Sequence, residues 1–324
     1  MPLFFRTYGQ GTFPMKTVAT IGSGLIGKSW AIVFARAGIT VRMFDADPAR
    51  RAAVKDEIAL DLRAMARHGL ITDPAEALSR ITVVESIAKA VKGVDYVQES
   101  VLERVDVKTA VCREIDEVMD AGVIVGSSSS GIPASQFTGE LKNRERFFVV
   151  HPVNPPHLVP LVEIVPAPWS DLDLVPRIRE FMDAVGQAPI VVNREIEGFI
   201  LNRLQGALLN EAWALYAEGY ASLADIDLTV SHGLGLRWAF MGPFETIDLN
   251  APGGIDDYAR RLSPLYHSIA LQRRDPKPWP DEALERARQE RREALAIDRI
   301  PERQRWRDEY LMKQLVFRKK AVED

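Results

Sequence analysis

A histidine and a glutamate twelve residues apart are the positions best suited to moving a proton. His151 closes the apolar run Phe147–Val150 and is followed by the stiff turn Pro152-Val153-Asn154-Pro155-Pro156. Glu163 sits inside a second apolar run, Leu161-Val162-Glu163-Ile164-Val165. A carboxylate within an apolar strand is costly unless it has a partner. Paired with His151, it would orient the imidazole, select one tautomer and make the ring a better base, as acid/base catalysis requires. Spacing alone leaves a second reading open, in which Glu163 faces solvent from an edge strand and His151 is structural. Position weighs toward chemistry, because the carboxyl ends of strands in open α/β sheets are where ligands bind.

Two further polar features could hold a substrate oxygen. The run Ser127-Ser128-Ser129-Ser130 follows the apolar stretch Val123–Gly126, and Asn202 lies on an otherwise apolar helix pattern. Each also has a local use, as turn hydroxyls or as a hydrogen bond within the helix.

A nucleotide site is written near the start. The β-branched stretch from Lys16 to Ile21 leads into Gly22-Ser23-Gly24-Leu25-Ile26-Gly27, then a helical pattern from Ser29 to Ala37, then a second strand pattern, Thr40–Phe44, ending at Asp45. A lone GxGxxG is a weak signal; strand, turn, helix, strand and acid together are a dinucleotide fingerprint. Gly22 would make the tight turn, Gly24 would let a pyrophosphate approach the backbone, and Gly27 would allow helix and strand to pack closely. Leu25, Ile26 and Gly27 open the helix whose free N–H groups and positive dipole end suit phosphates. Asp45, eighteen residues after Gly27, would bind the adenine ribose hydroxyls and repel the extra phosphate of NADP, with Asp47 adding to the effect. Arg50 and Arg51 read as helix surface. The implied cofactor is NAD.

These residues need elements to hold them. Strand patterns recur at Ile81–Val84, Val94–Gln98, Val123–Gly126, Phe147–Val150, Leu161–Val165 and Pro189–Val192, with helical patterns between them. Strands alternating with helices predict a parallel-rich α/β sheet. After about Ile196 no strand pattern appears. The expected architecture is therefore α/β: a Rossmann-type dinucleotide-binding domain, residues 16–195, followed by an all-helical C-terminal domain, residues 196–324. Residues 1–15 read as a disordered leader or the product of an upstream start codon, with Met15 the natural beginning of the fold. A chain of 324 residues suits two such domains, and 47% hydrophobic with 27% charged residues is a globular balance. A net charge of −4 without a basic stripe argues against nucleic acid, and no apolar run reaches membrane-spanning length. The single cysteine rules out an internal disulfide and a thiolate metal cluster and fits a reducing compartment, the cytoplasm; no metal is expected.

In several blocks the chain resembles the 3-hydroxyacyl-CoA dehydrogenase family, and within it the lambda-crystallin or L-gulonate 3-dehydrogenase branch. The blocks are GSGLIGKSWA (22–31), ESVLERVDVK (99–108), HPVNPPHLVPLVEIVP (151–166), GFILNRLQ (198–205) and GLGLRWAFMGPFET (233–246). The resemblance implies an NAD-dependent dehydrogenase acting on a 3-hydroxy acid or its acyl-CoA ester, and a homodimer formed through the helical domain. It carries the catalytic pair onto His151 and Glu163, the substrate-contacting serine onto Ser130 and the helix asparagine onto Asn202. It places nicotinamide-side contacts on Glu103 and Lys108. The plain serine tract departs from relatives, which leaves open which hydroxyl meets substrate. Asn154, in the turn after His151, is a further candidate for substrate contact. Where CoA users of the family carry a lysine-rich helix, this chain has Leu62-Arg63-Ala64-Met65-Ala66-Arg67-His68. Arg237, in Arg237-Trp238-Ala239-Phe240, has the chemistry to clamp a free carboxylate or to form an interdomain or dimer salt bridge.

Overall fold

The computed structural model describes residues 15–275 and 277–323. Eight strands form one sheet in the order β3-β2-β1-β4-β5-β6-β7-β8. They are β1 (Thr17–Ile21), β2 (Thr40–Phe44), β3 (Ile81–Val83), β4 (Tyr96–Glu99), β5 (Ile124–Ser127), β6 (Phe147–Pro152), β7 (Leu161–Pro166) and β8 (Ala188–Val191). Every neighbouring pair is parallel except β6 and β7. That exception has a length cause: residues 153–160 are too few for a crossover, which needs about a dozen or more, so the chain can only turn back.

Helices fill the connections: α1 (Leu25–Arg36), α2 (Pro48–Arg67), α3 (Pro74–Ser79), α4 (Ile87–Val91), α5 (Val105–Val118), α6 (Ser135–Thr138) and α7 (Leu174–Ala184). Asp47, Asp73 and Ser86 cap α2, α3 and α4 by accepting backbone N–H bonds, and Pro48 and Pro74 open the first two. The sheet carries a core on each face. One includes Trp30, Phe34, Tyr96, Phe148 and Phe181, and the other Val97, Cys112, Val125, Phe147 and Phe199.

The remaining elements are helical: α8 (Leu201–Ala217), α9 (Leu223–Leu228), a π-helical turn at Thr229–Leu234, α10 (Gly235–Trp238), α11 (Pro243–Leu249), α12 (Gly254–Gln272), α13 (Asp281–Ala294) and α14 (Ile300–Glu323). By contacts the chain divides into two compact units. One runs up to Arg203 and takes back the segment from Glu302 onward; the other is Leu204–Pro301. This division differs from the expected 196–324 domain at the C-terminal end, where Met312 is buried in the first core with Leu311 and Leu315 against it. Glu309 of α14 also bonds His68 and Arg67 at the end of α2.

Residues 1–14 of the expected leader lie outside the described residues. Met15, named as the natural beginning of the fold, is 3% exposed and part of the core. Among the described residues no helix is long and apolar enough to cross a membrane.

Candidate active site and nucleotide turn

The antiparallel β6–β7 ladder sets His151 directly opposite Glu163. Facing residues in such a ladder share one side of the sheet, so a twelve-residue separation becomes a side-chain contact. His151 Nδ1 lies 2.7 Å from Glu163 Oε2, with the glutamate fully buried and the histidine 5% exposed. The other oxygen, Oε1, accepts the backbone N–H groups of Ile200 (2.9 Å) and Leu201 (3.0 Å) at the start of α8. Gly198 and Phe199 both have left-handed backbone angles, φ +74° and +49°, which bring these two N–H groups onto the carboxylate. Phe199 is buried and its ring centroid is 5.6 Å from that of His151. Burial works to raise the Glu163 pKa, but the His151 bond and the two backbone N–H donors outweigh it and hold it below the usual carboxylate range. Glu163 is therefore an anion at neutral pH. An anion at Nδ1 places the imidazole proton there, which leaves Nε2 as the nitrogen able to accept.

The serine run is resolved hydroxyl by hydroxyl. Ser127 Oγ donates to Glu99. Ser128 Oγ accepts from Gln98 Nε2 (2.8 Å) and from Trp30 Nε1 (3.1 Å), and meets Ser100 Oγ. Ser129 Oγ bonds Glu103 Oε1 (2.8 Å) and the Ile132 carbonyl (2.7 Å). Ser127 and Ser129 are buried and Ser128 half-buried; only Ser130 is exposed. Its backbone N–H donates to Glu103 Oε1 at 2.8 Å, its hydroxyl reaches the same oxygen at 3.3 Å, and its carbonyl accepts the Asn202 side-chain amide. Glu103 Oε1 also takes N–H groups from Gly131 (3.1 Å) and Ile132 (3.4 Å). Burial works to raise the Glu103 pKa, but the Lys108 charge and these donors hold it low.

Lys108, expected to touch the cofactor, packs between two carboxylates. It is 1% exposed, with Nζ 3.1 Å from Glu99 and 3.4 Å from Glu103.

The glycine turn stands at the carboxyl ends of β1 and β4, where the strand order reverses. A Cβ on Gly22 (φ +96°) would lie 2.5 Å from the Ser100 carbonyl oxygen, and one on Gly27 would lie 1.9 Å from the Gly22 oxygen. A Cβ on Gly24 would meet nothing within 4 Å. Gly22 and Gly27 are thus demanded by the protein's own packing, whereas Gly24 borders open space, as approach by a ligand requires. No side chain caps α1, so the first-turn N–H groups of Leu25, Ile26 and Gly27 are available to an anion. Asp45 accepts from Ser23 N (2.6 Å), Ser23 Oγ (2.8 Å) and Asp47 N (2.9 Å). Arg50 and Arg51 are not plain helix surface, since they bond the Ser23 and Asp45 carbonyls at 2.9 and 2.6 Å. These residues fit a dinucleotide: an uncapped helix start for the pyrophosphate, an open glycine, and an acid at the end of the second strand.

Asn154 is exposed in the turn after β6. Arg237 is exposed on α10 in the second unit.

Sequence comparison places the chain in a family. Residues 17–196 match the family model for the NAD binding domain of 3-hydroxyacyl-CoA dehydrogenase, and residues 198–295 match the model for its C-terminal domain. The chain belongs to the 3-hydroxyacyl-CoA dehydrogenase family. Its cofactor is NAD. Among its relatives in that family, lambda-crystallin of Oryctolagus cuniculus is 37% identical over 300 residues, covering 91% of this chain and 93% of that one. An L-carnitine dehydrogenase of Oceanobacillus iheyensis is 35% identical, covering 92% and 97%. Among solved structures, a 5-formyl-3-hydroxy-2-methylpyridine 4-carboxylic acid 5-dehydrogenase, an NAD+-dependent dismutase, superposes with a TM-score of 0.72 at 28% identity. That match covers 89% of this chain and 99% of the other.

Sequence reasoning missed Glu99 in this family member. The signal was available: a glutamate closing the apolar strand pattern Val94–Gln98 needs a partner for the same reason Glu163 does.

Proposed function

We propose that the enzyme oxidises the 3-hydroxyl of a small hydroxy acid, in the manner of an L-gulonate 3-dehydrogenase, with His151 as the base. The observation that carries this reading is the buried Glu163 anion on His151 Nδ1, which turns Nε2 into a proton acceptor. Bound NAD supplies the acceptor for the hydrogen and electron pair that leave the carbinol carbon. His151 takes the hydroxyl proton on Nε2 as the carbonyl forms. Glu163 stabilises the imidazolium that results. Ser130 presents the one exposed hydroxyl of its run to the substrate oxygen, and Asn202 holds the Ser130 carbonyl and with it the turn. Gly22, Gly24, Leu25, Ile26 and Gly27 cradle the pyrophosphate, Asp45 takes the adenine ribose, and Glu103 faces the nicotinamide side. Asn154, exposed in the turn after β6, is assigned to substrate contact.

Arg237 is assigned to the substrate carboxylate. Relatives named for carnitine and for a pyridine carboxylic acid, molecules that carry their own carboxylate, support the free-acid reading. The family name keeps the (S)-3-hydroxyacyl-CoA ester as the second reading. Exposed Trp238 and Phe240 offer aromatic faces for a quaternary ammonium, as a carnitine-type substrate would need. A homodimer is part of the same reading. Within the second unit Leu236, Phe240, Phe244 and Leu249 are 64–73% exposed, apolar side chains that a partner subunit would cover.

The test is NADH formation with L-gulonate, 3-hydroxybutyrate, carnitine and 3-hydroxybutyryl-CoA, on protein of measured sedimentation mass. Turnover of a free acid, with KM raised about tenfold or more in Arg237→Met, is expected of a bidentate carboxylate contact. Turnover of the CoA ester alone would assign the enzyme to the second reading, and a monomer mass would remove the dimer.

A further inference from the structure

A buried charge relay stands behind the serine turn. Glu99 is fully buried at the end of β4 and faces Ser127 across the β4–β5 ladder. Its carboxylate takes Lys108 Nζ at 3.1 and 3.2 Å, the Val101 N–H at 2.6 Å and the Ser127 hydroxyl. Lys108 reaches from α5 and is almost as buried. Its ammonium lies between Glu99 and Glu103, and Glu103 is 39% exposed at its side chain. Glu103 in turn gathers the N–H groups of Ser130, Gly131 and Ile132 on one oxygen. The links run without a gap from a fully buried carboxylate to the exposed hydroxyl of Ser130.

Charge explains why the relay needs Glu99. Burying the Lys108 ammonium is costly unless a carboxylate is fixed beside it. Glu103 alone cannot fix it, because Glu103 is half in water and sits on a loop. Glu99 is anchored on a central strand and held by a backbone N–H, so it sets where Nζ rests, and Nζ sets where Glu103 rests.

We propose that Glu99 is a positioning residue for this dehydrogenase. It acts through Lys108 and Glu103 to fix the Ser129–Ile132 turn and so the Ser130 hydroxyl. The inference rests on Ser130 meeting the substrate, but the ordering of the turn can be measured without any substrate.

Glu99→Gln keeps one acceptor oxygen for the Val101 N–H, sets an amide NH2 that can donate to Ser127 Oγ, and removes the charge that holds Lys108. Two readouts on the full-length variant separate the outcomes, with thermal unfolding and far-ultraviolet circular dichroism as checks on folding. The first is hydrogen exchange of the amides of Gly131 and Ile132, expected to speed up by about tenfold or more as local opening becomes easier. The second is kcat per NAD-binding site on the substrate that wild type turns over, expected to fall about tenfold or more because the oxygen contact is misplaced. In a Ser130→Ala background the same Glu99→Gln change should cost little further kcat, because both act on one contact. Glu99→Gln with Lys108→Met should restore slower exchange relative to Lys108→Met alone, which leaves Glu99 buried and unpaired. Unchanged exchange in Glu99→Gln overturns the relay, as does a kcat loss fully additive with Ser130→Ala. Faster exchange in a protein that turns over none of the four substrates would keep the relay and count against the proposed function instead.

Discussion

Four adjacent serines of identical chemistry have four different fates, and only the structure separates them. Ser127, Ser128 and Ser129 are engaged with Glu99, with Gln98 and Trp30, and with Glu103, which leaves Ser130 as the exposed hydroxyl. A repeated letter carries no information about which hydroxyl faces the site, so this was not legible in the sequence. The His151–Glu163 pair was legible in part: a carboxylate in an apolar strand demands a partner and a histidine stood at a strand end, but spacing alone left Glu163 as readily facing solvent from an edge strand. A second histidine behaves differently. His157 is 8% exposed and its Nδ1 has no hydrogen-bond partner. Burial, with Arg36, Lys28 and Arg307 adding repulsion, lowers its pKa from 6.5 to about 3. Its folded value lies below its unfolded one, so between these two values the unfolded chain binds more protons. Stability is then unaffected above the unfolded value and falls as pH drops from about 6.5 toward 3. Urea unfolding at pH 7 and pH 5 should show a loss on the order of 2 kcal/mol from this group. His157→Leu should remove that part; an identical loss in the variant would refute the assignment. The carboxylates with lowered values, Asp45, Glu103 and Glu163, act in a lower window, losing their contribution only as pH falls through their own folded values.

At the scale of elements, the glycine turn makes a prediction that distinguishes packing from ligand approach. Gly27→Ala would drive a Cβ to 1.9 Å from the Gly22 oxygen, so the first βα unit must shift and the protein should lose several kcal/mol of stability. Gly24→Ala meets nothing in the protein, so its melting temperature should stay near wild type while NAD affinity falls about tenfold or more as the pyrophosphate is pushed off the backbone. Calorimetry and NAD titration measure the two; equal effects in both variants would contradict the division of roles. All eight strands were legible from apolar runs and β-branched residues, and α2 from its Pro48 start through Arg67. The direction of β7 is not carried by its apolar run, which reads the same parallel or antiparallel; it is carried by the short connection 153–160, too few residues for a crossover, and that direction is what pairs His151 with Glu163. The Ile200 and Leu201 contact to Glu163 was not legible, because it depends on a left-handed phenylalanine that no residue preference announces.

For the whole molecule, the division into an α/β unit and a helical unit followed from the end of strand patterns near Ile196. The return of the chain from Glu302 into the first unit did not follow, because α14 reads as one more charged helix while only a few of its side chains, Met312 among them, enter the core. What the assembled enzyme is built to do comes down to one proton. The direct measurement is single-turnover NADH formation by His151→Gln and wild type, on the hydroxy acid that wild type oxidises, with NAD affinity determined alongside. The account predicts turnover about 10²–10⁴-fold slower with NAD binding within a few-fold of wild type, the loss expected when a general base is removed and the nucleotide turn is untouched. Turnover within a few-fold of wild type would mean that another group takes the proton, and that His151 and Glu163 are not the acid/base pair of this enzyme.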